Sequence, residues 1–189
     1  AVIAATAARE NAAVAAAAAD AAAIAAREAA AVAAAAADVI LDCQGYTINF
    51  SSSNTGYGVS SNSNNTTVRN CIIREGARTD SSYGIYFEDV NNGLIDNCNV
   101  FTNGKNYWGS PSHAIYFVNS DYNRIIDTNT TSGIGFFGDR TIGLYLGNSD
   151  YNNMTNYHQN GGYDGVHLDE SFYNNFVNSS SIALIDNFF

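Results

Sequence analysis

The sequence predicts an all-β protein, a single-stranded parallel β-solenoid with coils of 22–30 residues. Three observations lead to this fold class. Short segments alternate apolar and polar residues with the period of a strand, asparagine-rich turns separate them, and the same residue columns return at each interval. One coil cannot bury its inner face alone, so such a repeat implies that coils stack on one another.

Composition limits the classes of protein to which this chain can belong. Of its 189 residues, 46% are apolar and 14% are charged, which argues against a disordered chain or a coiled coil. We find no run of 18 strongly apolar residues and no signal-peptide pattern, so we expect a soluble, already processed product without membrane insertion. The formal net charge of −10, with eight Lys and Arg, argues against nucleic acid and anionic membranes as partners.

Residues 1–38 differ in composition from the rest of the chain. Alanine occupies 25 of these positions, against three in residues 39–189. Because alanine has the highest helix propensity, one interpretation is a long helix. The favoured one is a cap or additional coils whose unidentified side chains are written as alanine, since Asp38 runs into a strand pattern without a cap, Gly or Pro. We infer no function from this segment and assign 39–189 to a β-helix domain.

Two strands of each predicted coil recur in register. The first begins with a small residue: Gly58, Gly84, Ala114, Gly143 and Gly165. The second carries an apolar residue at one matched position: Ile40, Val68, Ile95, Ile125, Met154 and Phe176. An Asp or Asn column follows two residues later: Asp42, Asn70, Asn97, Asp127, Asn156 and Asn178.

The spacings of this polar column are 28, 27, 30, 29 and 22, which indicates loops of different length at fixed corners. Asparagine tolerates the left-handed backbone of a sharp bend. Stacked amides also hydrogen-bond from coil to coil. We therefore expect the column to form a structural ladder, with Asn178 pointing inward.

From residue 38 to 49 the chain reads D-V-I-L-D-C-Q-G-Y-T-I-N, and units of the form G-[IVL]-x-[FL] and N-x-[IVLMF]-x-[ND] follow. This pattern resembles the right-handed parallel β-helix repeats of the NosD-like and pectate-lyase-like superfamily, in particular Asn-rich archaeal surface and secreted proteins. The resemblance covers residues 39–189 and implies a right-handed helix. It implies no single activity, because the superfamily includes lyases, hydrolases, epimerases, adhesins and structural coats.

The three cysteines, Cys43, Cys71 and Cys98, occupy one column. Stacked coils lie roughly 4.8 Å apart, within the Cα range of a disulfide. A Cys43–Cys71 or Cys71–Cys98 bridge is therefore possible, although we favour stacked, buried thiols. Zinc is not predicted, because its cysteine pairs are separated by fewer residues.

Several Asn-x-Ser/Thr triplets are present, and three are predicted to face outward as glycan acceptors: Asn65, Asn129 and Asn153. The chain has a single lysine and many Asn, Ser, Thr and Tyr residues. Together with the solenoid fold, this predicts an extracellular or cell-surface location.

An outward column is predicted along the first strand: Ser60, Tyr86, Tyr116, Tyr145 and His167. One interpretation is an aromatic ladder that stiffens the sheet. The other is a platform for sugar rings or for lateral packing against a sister subunit. Trp108, on the loop at 103–111, is placed to overhang this face.

For catalysis the most suggestive cluster is Asp164, His167, Asp169 and Glu170. These groups are candidates for an acid–base pair or for oxygen ligands of Ca²⁺. The resemblance implies that a lyase needs a Lys or Arg base, which the outward column lacks. A glycosidase needs two carboxylates across a cleft. Copper is not predicted, because the three histidines fall in different columns.

We therefore expect a structural or adhesive module that contacts sister subunits, in a homo-oligomer or filament, or surface glycans, without catalysis, cofactor or resident metal. The alternative is a carbohydrate-active enzyme, a polysaccharide lyase, hydrolase or epimerase, with the Asp164–Glu170 cluster as its site. The two differ in whether a substrate is turned over or only bound.

Overall fold

In a computed structural model, the chain forms three parallel β-sheets stacked as a β-solenoid, which confirms the predicted fold class. The structure describes residues 38–52, 54–76, 81–103, 112–133 and 141–182, and the backbone of 186–188. The chain divides after residue 37, and the unit Asp38–Phe189 holds every described residue. The Ala-rich segment up to residue 37 lies outside the described residues, and so do both interpretations of its structure. In the described ranges, no helix has the length and apolar character to cross a membrane.

Within these ranges eighteen strands are found, six in each sheet. Sheet A contains β1 (Ile40–Asp42), β4 (Thr67–Arg69), β7 (Leu94–Asp96), β10 (Arg124–Ile126), β13 (Asn153–Thr155) and β16 (Asn175–Val177). Sheet B contains β2 (Thr47–Phe50), β5 (Ile72–Glu75), β8 (Asn99–Thr102), β11 (Asn129–Ser132), β14 (His158–Gly161) and β17 (Ser180–Ile182). Sheet C contains β3 (Tyr57–Ser61), β6 (Tyr83–Glu88), β9 (His113–Val118), β12 (Ile142–Gly147), β15 (Asp164–Asp169) and β18 (Asp186–Phe188).

Side chains that alternate along these short strands build one apolar core inside the coils. Sheet A contributes a fully buried column: Val68, Ile95, Ile125 and Met154. From sheet C, Phe87 and Phe117 stack in the core with ring centroids 5.1 Å apart and planes 4° apart. Each coil thus covers the apolar face of the next.

Variation in coil length comes mainly from one corner. The connections from sheet C to sheet A, for example 89–93 and 119–123, each contain five residues. Those from sheet B to sheet C vary from two residues (162–163) to ten (103–112). The longer connections are therefore those between sheets B and C. Trp108 lies on one of them, outside the described residues.

The first coil differs from the predicted alignment by one residue. Leu41, not Ile40, pairs with Val68, and Ile40 is 64% exposed. Four residues separate β1 from β2, but only two separate β4 from β5. The longer bend turns through two left-handed residues, Gln44 and Gly45, with φ of 51° and 85°. Because 39–41 are all apolar, the alternation pattern alone does not fix which of them points inward.

The Asp/Asn column lies at the bend between sheets A and B. From Asn70 to Asn178 its residues have φ between 46° and 55°. The Nδ2 of Asn70 donates to Asp42 Oδ1 (3.0 Å), and that of Asn97 donates to Asn70 Oδ1 (2.9 Å). The Asp127 side chain has no N–H to donate, so a second run of side-chain bonds starts there.

In that second run, Asn156 donates to Asp127 and Asn178 donates to Asn156, both at 2.6 Å. The expectation that Asn178 points inward is wrong, because its side chain is exposed. A left-handed residue at this bend turns its side chain outward, and the residue after it points toward the core instead. The ladder therefore lies on the surface, where its hydrogen bonds link the bends of successive coils.

A second amide ladder, which was not predicted from the sequence, is buried at the corner between sheets C and A. Asn123 Oδ1 accepts the Gly93 N–H (2.6 Å), and Asn123 Nδ2 donates to the Val90 carbonyl (2.9 Å). Asn152 Oδ1 in turn accepts the Asn123 N–H at 2.8 Å. These bonds satisfy backbone groups that the tight turn removes from water. They therefore hold the exposed tip of each turn in the same position from coil to coil.

Candidate functional site: an aromatic face and a tyrosine ridge

The outward column of sheet C is a continuous stack of rings. Tyr86 and Tyr116 have centroids 5.5 Å apart, Tyr116 and Tyr145 4.5 Å, and Tyr145 and His167 5.3 Å. The ring planes of these pairs differ by 14°, 6° and 7°. In-register pairing of β6, β9, β12 and β15 brings the four rings together.

A second aromatic row runs beside the first, three residues earlier in each strand. Tyr83 contacts Tyr57 (5.6 Å) and His113 (5.4 Å) within the row, and Tyr86 (5.5 Å) across it. Sequence reasoning missed this row, because residues three apart on a regular strand point to opposite faces. The alternation is broken at Gly84, because Gly84 and Ile85 are both buried and the pairing with β9 passes from Tyr83 to Ile85. An added Cβ at Gly84 would meet the Ala114 carbonyl oxygen at 2.5 Å.

We call these seven side chains the aromatic face: Tyr57, Tyr83, His113, Tyr86, Tyr116, Tyr145 and His167. Since most of the rings stack along the solenoid axis, their edges and hydroxyl groups point outward. The Tyr145 hydroxyl donates to Asp169 Oδ2 at 2.7 Å. Burial, reinforced by Glu88, raises the pKa of Tyr86 to about 12. Burial, with the hydrogen bond to Asp169, also raises the pKa of Tyr145, so these phenols stay protonated.

His113 lies beneath the rings and is only 2% exposed. Its ring contacts Tyr116 at 4.9 Å and Tyr145 at 5.4 Å between centroids. Burial, with a smaller contribution from His167, lowers the pKa of His113 to about 3. It is therefore neutral at ordinary pH and serves as a packing group of the face.

The structure separates the predicted acidic cluster into pairs. Asp164 is buried, and its Oδ2 lies 3.7 Å from His167 Nδ1. Asp169 instead contacts Tyr145, and Glu170 begins the next bend with φ of 50°. Asp164 and Asp169 are five residues apart on β15, roughly 16 Å along a strand. A glycosidase pair needs at most about 9.5 Å. Nowhere in the described ranges do three His, Cys, Asp or Glu side chains group closely enough for a metal ion.

A separate stack of tyrosines stands at the turns between sheets C and A, and we call it the tyrosine ridge: Tyr122, Tyr151 and Tyr173. Neighbouring centroids are 5.1 and 4.9 Å apart, with planes within 8° of each other. The rings are 55%, 47% and 74% exposed. The signal in the sequence is the repeated turn at 120–123, 149–152 and 171–174, each with Tyr third and Asn fourth.

Each ridge tyrosine has a left-handed backbone, with φ of 56–57°. Asn65 and Asn92 occupy the same turn position in earlier coils, with φ of 56° and 58°. This conformation costs a bulky side chain roughly 1–2 kcal/mol, or about 3–6 kcal/mol for three residues. Two stacked pairs return only about 1–3 kcal/mol. Stacking alone therefore does not offset the local cost of tyrosine at these positions.

Charges are distributed unevenly around the described coils. Among the described residues, the arginines lie on sheets A and B: Arg69, Arg74 and Arg124. Sheet C and the turns that follow it have no Lys or Arg in the described ranges, and their Asp and Glu residues are Glu88, Asp89, Asp121, Asp150, Asp164, Asp169 and Glu170. At the ridge, Asp121 Oδ1 accepts the Asp150 N–H (2.7 Å), and Asp150 Oδ1 accepts the Phe172 N–H (2.6 Å).

The cysteine column contains one disulfide and one thiol. Cys43 and Cys71 are bridged, with Cα atoms 4.8 Å apart. Cys98 is free and buried, and burial raises the pKa of its thiol to about 11. The favoured prediction of buried thiols is therefore correct for Cys98 and wrong for Cys43 and Cys71.

The three predicted glycan acceptors differ in exposure. Asn65 is exposed at the tip of its turn. Asn129 is exposed, but its Nδ2 donates to Asn99 Oδ1 at 3.2 Å. Asn153 is half-buried and accepts a hydrogen bond from Asn175 at 3.3 Å. Asn65 is thus the most accessible of the three.

The geometry brings together the predicted tyrosine column and His167, adds a second row to it, and divides the acidic cluster. The ridge is a further exposed feature. Comparison of the chain with models of protein families, with curated proteins and with solved structures finds no match.

Proposed function

We propose that this chain is a non-catalytic structural or adhesive module of an extracellular or cell-surface protein, and that its aromatic face contacts glycans. The observation that carries the proposal is this face, in which seven aromatic side chains lie on one sheet beside Glu88 and Asp169. Binding sites for small molecules combine aromatic surface with a few polar groups. Aromatic side chains are also enriched where proteins meet partners.

The chemistry of the face fits a neutral polysaccharide. Its protonated phenols donate hydrogen bonds, its carboxylates accept them from sugar hydroxyls, and its ring edges offer apolar contact. Tyr57, half-exposed at the start of its row, adds an accessible ring. An anionic polysaccharide would meet like charges, because the described part of sheet C has acidic side chains and no Lys or Arg.

Two features support the proposed location. The Cys43–Cys71 disulfide is of a kind that persists in oxidising compartments and is rare in the cytosol. Asn65 offers an exposed acceptor for a glycan. The resemblance to NosD-like and pectate-lyase-like repeats of archaeal surface proteins belongs to the same proposal.

Removing two central rings, Tyr86→Ala with Tyr116→Ala, is expected to weaken binding to insoluble neutral polysaccharides at least tenfold. The change removes apolar contact and a hydroxyl donor in two successive coils, and a tenfold loss corresponds to about 1.4 kcal/mol. Co-sedimentation with cellulose, chitin and xylan, at graded protein concentration, measures the affinity.

Tyr46→Ala is the matched control, since Tyr46 is 76% exposed at a different bend. Thermal unfolding of each variant checks that the fold persists. Equal affinity of the double variant and the Tyr46 variant would exclude the aromatic face as the glycan surface. A parent protein that binds none of the polymers would refute the glycan proposal itself.

One contact favours the enzymatic alternative. Buried Asp164 beside His167 has the composition of an acid–base pair. Incubation with anionic polysaccharides would then release unsaturated products, and Asp164→Asn would abolish their release. We expect no such products from the parent protein.

A further inference from the structure

We infer that the tyrosine ridge, with Arg124 beside it on β10, is a surface through which this chain packs against a second copy of itself. The ridge lies at the turns between sheets C and A, apart from the aromatic face. The inference is therefore independent of the glycan proposal. Three observations carry it.

The first is the conformation of the ridge. Tyr122, Tyr151 and Tyr173 have left-handed backbones at a position that Asn65 and Asn92 fill in other coils. The turn itself therefore accepts asparagine, which suits this backbone better than tyrosine does. The rings are also half-exposed or more, so they contribute little to the core. A contact that forms only when another molecule covers the rings accounts for both properties.

The second observation is the charge pattern. Asp121 and Asp150 flank the rings, and exposed Arg124 follows Tyr122 by two residues. In a two-fold symmetric interface, each side chain of the patch meets the same patch on the other copy. Arg124 of each copy then lies against the acidic side chains of the other ridge. A wholly acidic ridge would repel its own copy, whereas this mixed patch complements itself.

The third observation is the period of the ridge. Its rings repeat at 5.1 and 4.9 Å, close to the spacing of stacked coils. A second solenoid has the same spacing, so contacts made at one coil recur at the next without distortion. Tyrosine is a residue type typical of the buried centre of such interfaces.

The test is the self-association of the full chain, measured by sedimentation velocity and by light scattering over a concentration series. The parent is expected to form a dimer. The triple variant Tyr122→Asn, Tyr151→Asn, Tyr173→Asn is expected to raise the dissociation constant at least tenfold. Its unfolding midpoint, measured where both proteins are monomeric, should equal or exceed that of the parent, because asparagine relieves the left-handed backbone.

Arg124→Glu should also weaken association, and the effect should shrink at high salt. Arg74→Glu is the matched control, since Arg74 is an exposed arginine on sheet B. The Tyr86→Ala, Tyr116→Ala variant should dimerise like the parent, which separates this surface from the aromatic face. A monomeric parent at every concentration would overturn the inference. So would a triple variant that associates normally but unfolds at a lower temperature, because the ridge would then be a structural ladder.

Discussion

Removing the disulfide, by Cys43→Ser with Cys71→Ser, is expected to lower the free energy of unfolding by about 3–4 kcal/mol. The bridge joins residues 28 apart in sequence, so it closes a long loop and removes much of the conformational freedom of the unfolded chain. It also ties the first described coil, where Ile40 and Val39 are exposed, to the coil after it. Guanidinium chloride denaturation, followed by circular dichroism, measures the change.

Cys98→Ala is the matched control for this experiment. It removes the third sulfur of the same column without cutting a cross-link, and we expect a loss of about 1 kcal/mol, typical of a small buried substitution. If the double variant lost no more than the control, the bridge would not be the element that holds the first coil in place. Reduction of the parent should reproduce the effect of the double variant.

Acidification below pH 6.5 is expected to destabilise the fold through His113. Its pKa is lowered from 6.5 to about 3 in the folded protein by burial and by His167. Between these two values the unfolded state binds a proton that the folded state does not, so stability falls as the pH falls. The full contribution is present above pH 6.5. The slope approaches 1.4 kcal/mol per pH unit, and the loss reaches about 3 kcal/mol at pH 4.

His113→Phe isolates this contribution, because phenylalanine keeps the ring contacts with Tyr83, Tyr116 and Tyr145 and does not titrate. Urea denaturation of the parent and the variant at half-unit steps from pH 8 to pH 4 gives the two curves. Their difference should widen below pH 6.5. Parallel curves would mean that His113 does not contribute to the acid sensitivity of the protein.

The period-two alternation in Ile85 and Phe87, or in Ile115 and Phe117, was enough to predict the inward and outward faces of sheet C. These side chains are buried as a column while Tyr86 and Tyr116 face outward. A strand pattern reports its buried face directly, because burial of apolar surface decides it. The outward stack could therefore be predicted from the sequence alone.

The second row, Tyr57, Tyr83 and His113, could not be predicted in the same way. It shares a face with the first row only because the strand is irregular at its small residue, where neighbouring coils leave no room for a side chain at Gly84. The position of that irregularity depends on contacts between coils. Residues 26 or 30 positions apart in sequence create it, and no local pattern reports them.

The backbone conformation of the tyrosine ridge could not be predicted from the sequence either. Three similar turns are plain in the sequence, yet nothing in Tyr122 or Tyr151 indicates a left-handed backbone, which tyrosine seldom adopts. The same turn position is left-handed at Asn65 and Asn92, where no asparagine follows, so this backbone belongs to the stacked turn and not to the residue type.

The repeat, the parallel strands and the columns of like residues could be predicted from the sequence, because burial with a two-residue period and sharp turns both recur along the chain. We could assign only from the folded protein which cysteines are bridged, which of 39–41 enters the core, and that Asp164 and Asp169 contact different side chains. Each of these depends on the register of one coil against the next. The bend that contains Gln44 and Gly45 is two residues longer than the bend between β4 and β5, and β1 is displaced by one residue from its predicted alignment with β4.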